Sequence, residues 1–499
     1  MKKRSVYIFV ILTLIGPLVF SACNAGTAAE TTPTATALPT AETPRETTVP
    51  VPNGFIRYIS QSGDTIPAVA AHFGVSRPFV QSPQEISESE IIDPGTELWV
   101  RDALNETSSA EQLFPDGEVV YSPSAIDFDL QEFADSQGGY LSTYAELMTR
   151  GTTPATEILQ QLALEHSYHP RILLALMELE SGWVTRQPNS DEEDHYPFGY
   201  IKSDRGGIYQ QTGWAIRRLH YGYYEWRAGR LKELTFMDGE TLRLSPYLNA
   251  GSVAVMYFLA QIHSYPEWEQ RVYGEDGITA VYEGLFGDPW QNVGEWDPLF
   301  PAGILQPEMN LPFPPNQRWA HTCGPHTAWG REGPPAALDF APPSGNAGCD
   351  NSRRYATAAA AGLVVRDGKG VIVIDLDKDG YEQTGWVLVY MHIANTGRVE
   401  AGDYLNVDDN VGHPSCEGGS SSGTHVHIAR KYNGEWVLAE GGLPFVLSGY
   451  QAYNGDDFCG GTLVLDDDVV HAFPWGNALT LIARQDSDPD YLYTPTPKK

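Results

Sequence analysis

The chain has 499 residues, 42% of them hydrophobic, enough for about three domains. Acidic residues outnumber basic ones 64 to 32, a net charge of −32. That excess argues against nucleic acid, whose binding needs a basic patch, and against a polybasic hold on a membrane surface.

In chain order, Met1-Lys2-Lys3-Arg4 precedes an apolar run from Val6 to Phe20, the pattern of a secretory signal with a basic start. The run ends in Phe20-Ser21-Ala22-Cys23, which resembles a bacterial lipoprotein box, with plain secretion as the other reading. The resemblance implies lipid on Cys23, attachment to the outer face of the membrane and a cell-envelope location. Residues 24–54 are rich in Thr, Pro, Ala and Glu and read as a disordered stalk. A second polar stretch, 103–124, reads as a linker, and residues 486–499 as an acidic tail.

Residues 55–102 open with "IRYISQSGDTIPAVAAHFGVS" and close with "IIDPGTELWVRD". They predict a strand, a Gly63-Asp64-Thr65 turn whose Asp64 or Thr65 caps a helix, and a final strand. The segment resembles a LysM domain, a βααβ module that binds N-acetylglucosamine-containing glycans; a spacer is the plainer reading.

Residues 125–305 predict a mainly helical domain, clearest in "EILQQLALEHSYHPRILLALMELESGW". At about 100° per residue, Glu180 shares a face with Leu173, Leu176 and Met177, whereas Glu178 falls on the opposite, solvated side. The segment resembles the lysozyme-like lytic transglycosylases, through "ALMELESGW", "GGIYQQ" and "YLNAGSVAVMYFL". That resemblance implies Glu180 as the acid/base, with Gln210, Asn249 and Tyr257 in a glycan cleft. Tyr209 and "YGYYEWRAGR" depart from the pattern, so a cleft kept for binding alone stays open.

In residues 306–485 the run Thr424-His425-Val426-His427-Ile428 sends two imidazoles to one side of a strand. Upstream stand His326, Asp339 and His392, and three such groups with one open position make a catalytic zinc site. Alternation places Trp386, Leu388, Tyr390 and His392 on one face. The fragments "GPHTAWGREGPPAALDFAP", "VLVYMHI" and "SSSGTHVHIAR" resemble the M23 zinc endopeptidases (the LytM and lysostaphin type). The thirteen-residue spacing from His326 to Asp339 points to their β-lytic branch. The resemblance implies zinc on His326, Asp339 and His427, with His425 and His392 activating water and stabilising the oxyanion. His321, His413 and His471 have no matching partner.

Four cysteines, Cys323, Cys349, Cys416 and Cys459, fall in this domain, and export would allow them to pair. Of three pairings, Cys323–Cys349 and Cys416–Cys459 are favoured because each brackets a segment that carries ligands. Asp375, Asp377, Asp379 and Gly380 form the first half of a calcium loop, but Trp386 stands where its bidentate Glu belongs, and a hairpin turn explains the run as well.

The expected architecture is multidomain α+β: a small βααβ module, a mainly helical lysozyme-like domain and a mainly antiparallel β zinc peptidase domain. The function expected is that of a peptidoglycan hydrolase. The rival class, a non-catalytic wall-binding protein, is disfavoured for the last domain by the presence of all five groups and stays open for the middle one.

Overall fold

The computed structural model describes residues 50–484, apart from Glu88, Asp102, Arg150, Arg331, Glu332 and residues 344–347. The signal segment, Cys23, the stalk as far as residue 49 and the tail lie outside the described residues.

The first module holds β1 (Phe55–Ile59), α1 (Ile66–His72), β2 (Val80–Gln81) and β3 (Glu97–Arg101), in a sheet of order β1-β3-β2. Thr65 caps α1 by accepting from the Ala68 amide, while Asp64 takes the Tyr58 hydroxyl and the Gln61 amide. The second helix expected of a βααβ module is absent among the described residues. A 3₁₀ turn at Arg77–Phe79 stands there, opened by Pro78 in its first turn, and Pro83 lacks the amide that would carry a helix further.

The helical domain contains α2 (Leu130–Gln137), the hairpin β4 (Ala145–Met148) and β5 (Gly151–Pro154), α3 (Ala155–His166), α4 (Pro170–Ser181), α5 (Asp191–His195) and α6 (Ile208–Arg227). The hairpin β6 (Glu233–Thr235) and β7 (Thr241–Arg243) follows, then α7 (Ala250–Ala260), α8 (Tyr265–Tyr273), α9 (Ile278–Phe286) and α10 (Pro289–Val293). Residues 113–121, expected within a linker, instead bury Leu113, Phe114, Val119 and Val120 in the helical core. Burying four such side chains outweighs the polar residues around them, at about 1.5–3 kcal/mol each.

Among the described residues the last domain is built of antiparallel strands in a main sheet, a two-stranded sheet and a four-stranded sheet. Its strands are β8 (Trp319–Thr327), β9 (Pro335–Ala341), β10 (Ala356–Thr357), β11 (Gly362–Gly368), β12 (Val371–Asp375), β13 (Trp386–Met391), β14 (Tyr404–Leu405), β15 (Asn410–Gly412), β16 (Val426–Tyr432) and β17 (Glu435–Trp436). A small sheet of β18 (Val446–Leu447), β19 (Tyr450–Tyr453), β20 (Thr462–Leu465) and β21 (Asp468–His471) follows, then β22 (Leu481–Ile482). The main sheet runs β14-β11-β12-β13-β16-β9-β8-β22.

Strand alternation divides that sheet between two cores. Leu338, Phe340, Leu388, Tyr390 and Ile428 face one core. Ala337, Val387, Val389 and Ala429 face the other, which is continuous with the helical domain. Arg227 joins the three parts: it pairs with Glu435 (3.0 Å) and Asp116 (2.8 Å) and donates to the Ser62 carbonyl.

The favoured cysteine pairing is corrected. Cys323 pairs with Cys459, and Cys349 with Cys416. Cys323 lies on β8 beside the C-terminal segment, where the Phe473 amide donates to the His321 carbonyl. Cys349 lies across the domain, where Thr424 donates to Gly348 and Ser352 to Pro414. Closeness in the chain gave way to closeness in the sheet.

Candidate metal centre

The long gap between His326 and Asp339 is a β-hairpin. The two residues stand on β8 and β9, whose pairing is interrupted by register shifts on either side of Cys323 and again after His326. Gly324 (φ +124°) lets β8 approach closely: a Cβ there would lie 2.7 Å from the Ala337 carbonyl oxygen. On the other side of β9, His427 is the cross-strand partner of Asp339, and Met391 is the partner of His427.

These registers gather the predicted groups. Asp339 Oδ1 lies 2.9 Å from His326 Nε2 and 3.2 Å from His427 Nδ1, and Oδ2 lies 3.3 Å from His425 Nε2. The His425 and His392 rings are 4.5 Å apart. His392 does not continue the face of Tyr390. With φ +63° it leaves the pleat just after β13, so it lines the groove together with Met391. Such a left-handed non-glycine residue is strained, and strain of this kind collects at functional sites.

Three of the four imidazoles are also held from behind by a backbone carbonyl. His427 Nε2 meets Ala328 O at 3.0 Å, His425 Nδ1 meets Gly423 O at 2.7 Å, and His392 Nδ1 meets Glu417 O at 3.2 Å. The sequence reading missed these carbonyls, since a backbone acceptor leaves no mark in residue type.

Electrostatics divides the five groups. Burial alone would raise the Asp339 pKa, but the imidazoles of His326 and His425 outweigh it and hold the carboxyl well below its usual range. Burial pulls His425 down, yet Asp339 reverses the sign and raises it. His392 is lowered to about 3, first by burial and then by repulsion from His425 and His427.

Two nitrogens and one carboxylate oxygen converging within hydrogen-bond distance are a donor set that suits zinc. Cys323 lies near His326 and Asp339 but is committed to its disulfide, so it is no ligand. The groove over these groups encloses about 610 Å³. One wall carries Phe458, Pro474 and Trp475, and the other the small residues from Gly419 to Thr424. Phe458 and Trp475 are 61% and 82% exposed, and the sequence reading did not single them out; for Phe458 its place beside Cys459 was the available signal.

The helical-domain candidates do not assemble in this way. Glu180 shares its face with buried Leu173, Leu176 and Met177, and its carboxylate lies 3.1 Å from His263 Nε2 with a side-chain exposure of 4%. Glu178, expected in solvent, accepts from the Val184 and Thr185 amides and so caps the turn after α4. Asn249 is the N-cap of α7 and donates to Phe114 O and Asp116 Oδ1. His263 lies just beyond the opposite end of α7, so about 16 Å of helix separates Asn249 from the Glu180 pair. Gln210 accepts from Arg205 and Tyr257 stacks on Tyr221, whereas Glu180 is bonded to His263. The neighbour Gln211 is the fully buried one, bonded to Phe198, Tyr200 and Arg205.

At the calcium-like turn, Asp375 Oδ1 and Oδ2 accept amides from Asp377, Lys378 and Gly380, and Asp379 accepts from Tyr381 and Thr384. That bonding suits a hairpin turn, and it leaves ligand atoms of Asp375, Asp377 and Asp379 within 4.8 Å of one another.

Comparison with known proteins agrees with this division. The family profile for the N-terminal domain of LasA matches residues 112–300, the helical domain. Protease LasA of Pseudomonas aeruginosa is 25% identical over 339 residues, covering 62% of this chain and 73% of that protein. The β-lytic metalloendopeptidase of Achromobacter lyticus is 29% identical over 181 residues, covering 35% of this chain and 44% of that protein. Among solved structures, the M23 metalloprotease pseudoalterin aligns with 34% of this chain and 96% of its own, at 23% identity and a TM-score of 0.28. The chain therefore counts LasA and the β-lytic metalloendopeptidases among its homologues.

Proposed function

We propose that this protein is an exported zinc endopeptidase that cuts the peptide crosslinks of bacterial peptidoglycan. The observation that carries the reading is the convergence of His326, Asp339 and His427 at one end of an open groove, with His425 and His392 beside them.

A zinc ion held by those three groups supplies Lewis acidity toward the scissile carbonyl and acidifies water there. The two other imidazoles divide the proton work. The carbonyl behind His392 fixes its proton on Nδ1, and a neutral ring then has Nε2 available to accept. The carbonyl on Nδ1 of His425 leaves Nε2, beside Asp339, as the nitrogen facing the groove, and with Asp339 taken up by the metal a charged ring would have that N–H to donate to a developing oxyanion.

Cleavage of peptide bonds is supported by the named activities of the relatives, a protease and a metalloendopeptidase, and the choice of wall peptide by the LysM-like sequence of the first module. The signal segment and Cys23 support export with a lipid anchor on the outer face of the membrane. Digesting purified peptidoglycan with wild type and His427→Ala, and reading the products by mass, tests the proposal. New amino termini are expected from the wild type alone. Products unchanged in His427→Ala would overturn it.

A further inference from the structure

Both ring nitrogens of His427 are engaged. Nδ1 faces Asp339 at 3.2 Å, and Nε2 lies 3.0 Å from the Ala328 carbonyl. A carbonyl can only accept, so the ring proton sits on Nε2 and the Nδ1 lone pair is left for a metal. The tautomer of one ligand thus rests on the turn that follows β8. That turn is closed by the Ala328 amide donating to Pro334 O (2.9 Å) and by Thr327 Oγ1 donating to Gly330 O (2.7 Å).

The outer side of the same turn meets the helical domain. His220 Nδ1 lies 3.2 Å from where a Cβ on Gly333 would stand, and His166 Cε1 lies 3.5 Å from the same point on Gly330. His220 is 2% exposed, stacks on Tyr168 at 4.8 Å, and its Nε2 lies 3.2 Å from His166 O. Its Nδ1 has no hydrogen-bond partner among the described residues, so the contact with Gly333 is one of packing. The His166 carbonyl also receives Trp436 Nε1 (3.1 Å), which ties this corner to the sheet. Ala328 and Trp329 belong to the core that continues through the helical domain.

We propose that His220 and His166 are positioning residues for the metal centre. They hold the turn carrying Ala328, Gly330 and Gly333, so that the Ala328 carbonyl keeps His427 Nδ1 turned toward the metal. The helical domain acts here as outer support for a ligand that it never touches. The proposal rests on the zinc reading above.

The test is zinc affinity of the full chain by competition with a chelator, with wall digestion measured alongside. Removing an outer partner of a metal ligand typically weakens binding by about 10–100-fold, and His220→Ala, one contact further out, is expected near tenfold. His220→Phe, which keeps the packing, is expected to bind as wild type. Gly333→Ala pushes a methyl against the His220 ring and is expected to weaken zinc, whereas in the double variant His220→Ala/Gly333→Ala the methyl occupies the space left and restores part of the loss. Trp268→Phe, in the helical core away from the turn, is the control for general destabilisation.

Weakened zinc in His220→Ala and in Gly333→Ala, with recovery in the double variant, supports the proposal. Wild-type affinity in a folded Gly333→Ala overturns it, as does equal weakening in Trp268→Phe or a double variant whose losses simply multiply. If His220→Ala does not fold, Gly333→Ala and His220→Phe still decide. A wild-type chain that binds no zinc fails the zinc reading itself, a result distinct from a zinc-binding chain insensitive to the turn.

Discussion

The molecule contains two carboxylate–histidine pairs that look alike taken singly. Asp339 lies 2.9 Å from His326, and Glu180 lies 3.1 Å from His263, with carboxylate exposures of 10% and 4%. Their surroundings separate them. Asp339 is met by two more imidazoles, and its groove opens to solvent between two walls. Glu180 is met by one imidazole among the described residues and has a loop over it: a Cβ on Gly199 would fall 2.9 Å from its Oε2. A buried acid beside a histidine is therefore weak evidence of catalysis, whereas several ligand atoms turned to one accessible point are strong evidence.

The hardest blow to this contrast is Asp339→Ala. Deleting one of three ligand candidates, the one that His326, His425 and His427 all face, is expected to abolish zinc binding and lower wall digestion on the order of 10³-fold or more. Chelator competition and product mass spectra measure both. A variant that keeps its zinc would place the metal elsewhere.

A smaller effect is expected from His425→Ala and His392→Ala. Loss of a group that moves protons typically costs about 10²–10⁴-fold in rate, while the three ligands remain. Zinc affinity should stay within a fewfold of wild type as kcat falls. Parallel loss of zinc in His425→Ala would move that residue from proton transfer to ligation.

The site's chemistry was legible in the chain because zinc demands particular residue types. His326, Asp339, His392, His425 and His427 stood in the sequence in that order, and strands β8, β9, β13 and β16 brought them together. The orientation of His392 was not legible: strand alternation assigns it to the Tyr390 face, and a single left-handed residue reverses that. Nor was the cysteine pairing, which depends on which loops meet along the outer strands. In the helical domain, periodicity located the buried face of α4 and placed Glu180 on it. It could not tell a buried acid in a cleft from one in the interior, because both leave the same pattern on a helix.

His72 sharpens the comparison from another side, as a buried histidine with no carboxylate partner among its hydrogen bonds. Its ring stacks on Trp226 at 3.7 Å, and burial lowers its pKa to about 3. Because the folded pKa is below the unfolded value near 6.5, its contribution to stability is complete above about pH 6.5 and is lost as pH falls toward 3. The slope in that window reaches at most about 1.4 kcal/mol per pH unit. Thermal melts from pH 8 to 4 should show a shallower decline in His72→Phe than in wild type. Equal declines would mean that His72 becomes protonated within the folded chain.

The smallest effect belongs to Glu180→Gln. The substitution keeps shape and a possible hydrogen bond to His263 Nε2, so the loss of stability should be about 1 kcal/mol. A general acid must reach the oxygen that it protonates, and a side chain 4% exposed beneath Gly199 cannot do so without movement of that loop. Zinc affinity, peptide cleavage and the ends of the glycan strands are all expected to match wild type. Glycan cleavage present in the wild type and lost in Glu180→Gln would break the contrast between the two pairs: the loop at Gly199 would then have to open, and the helical domain would be a second catalyst.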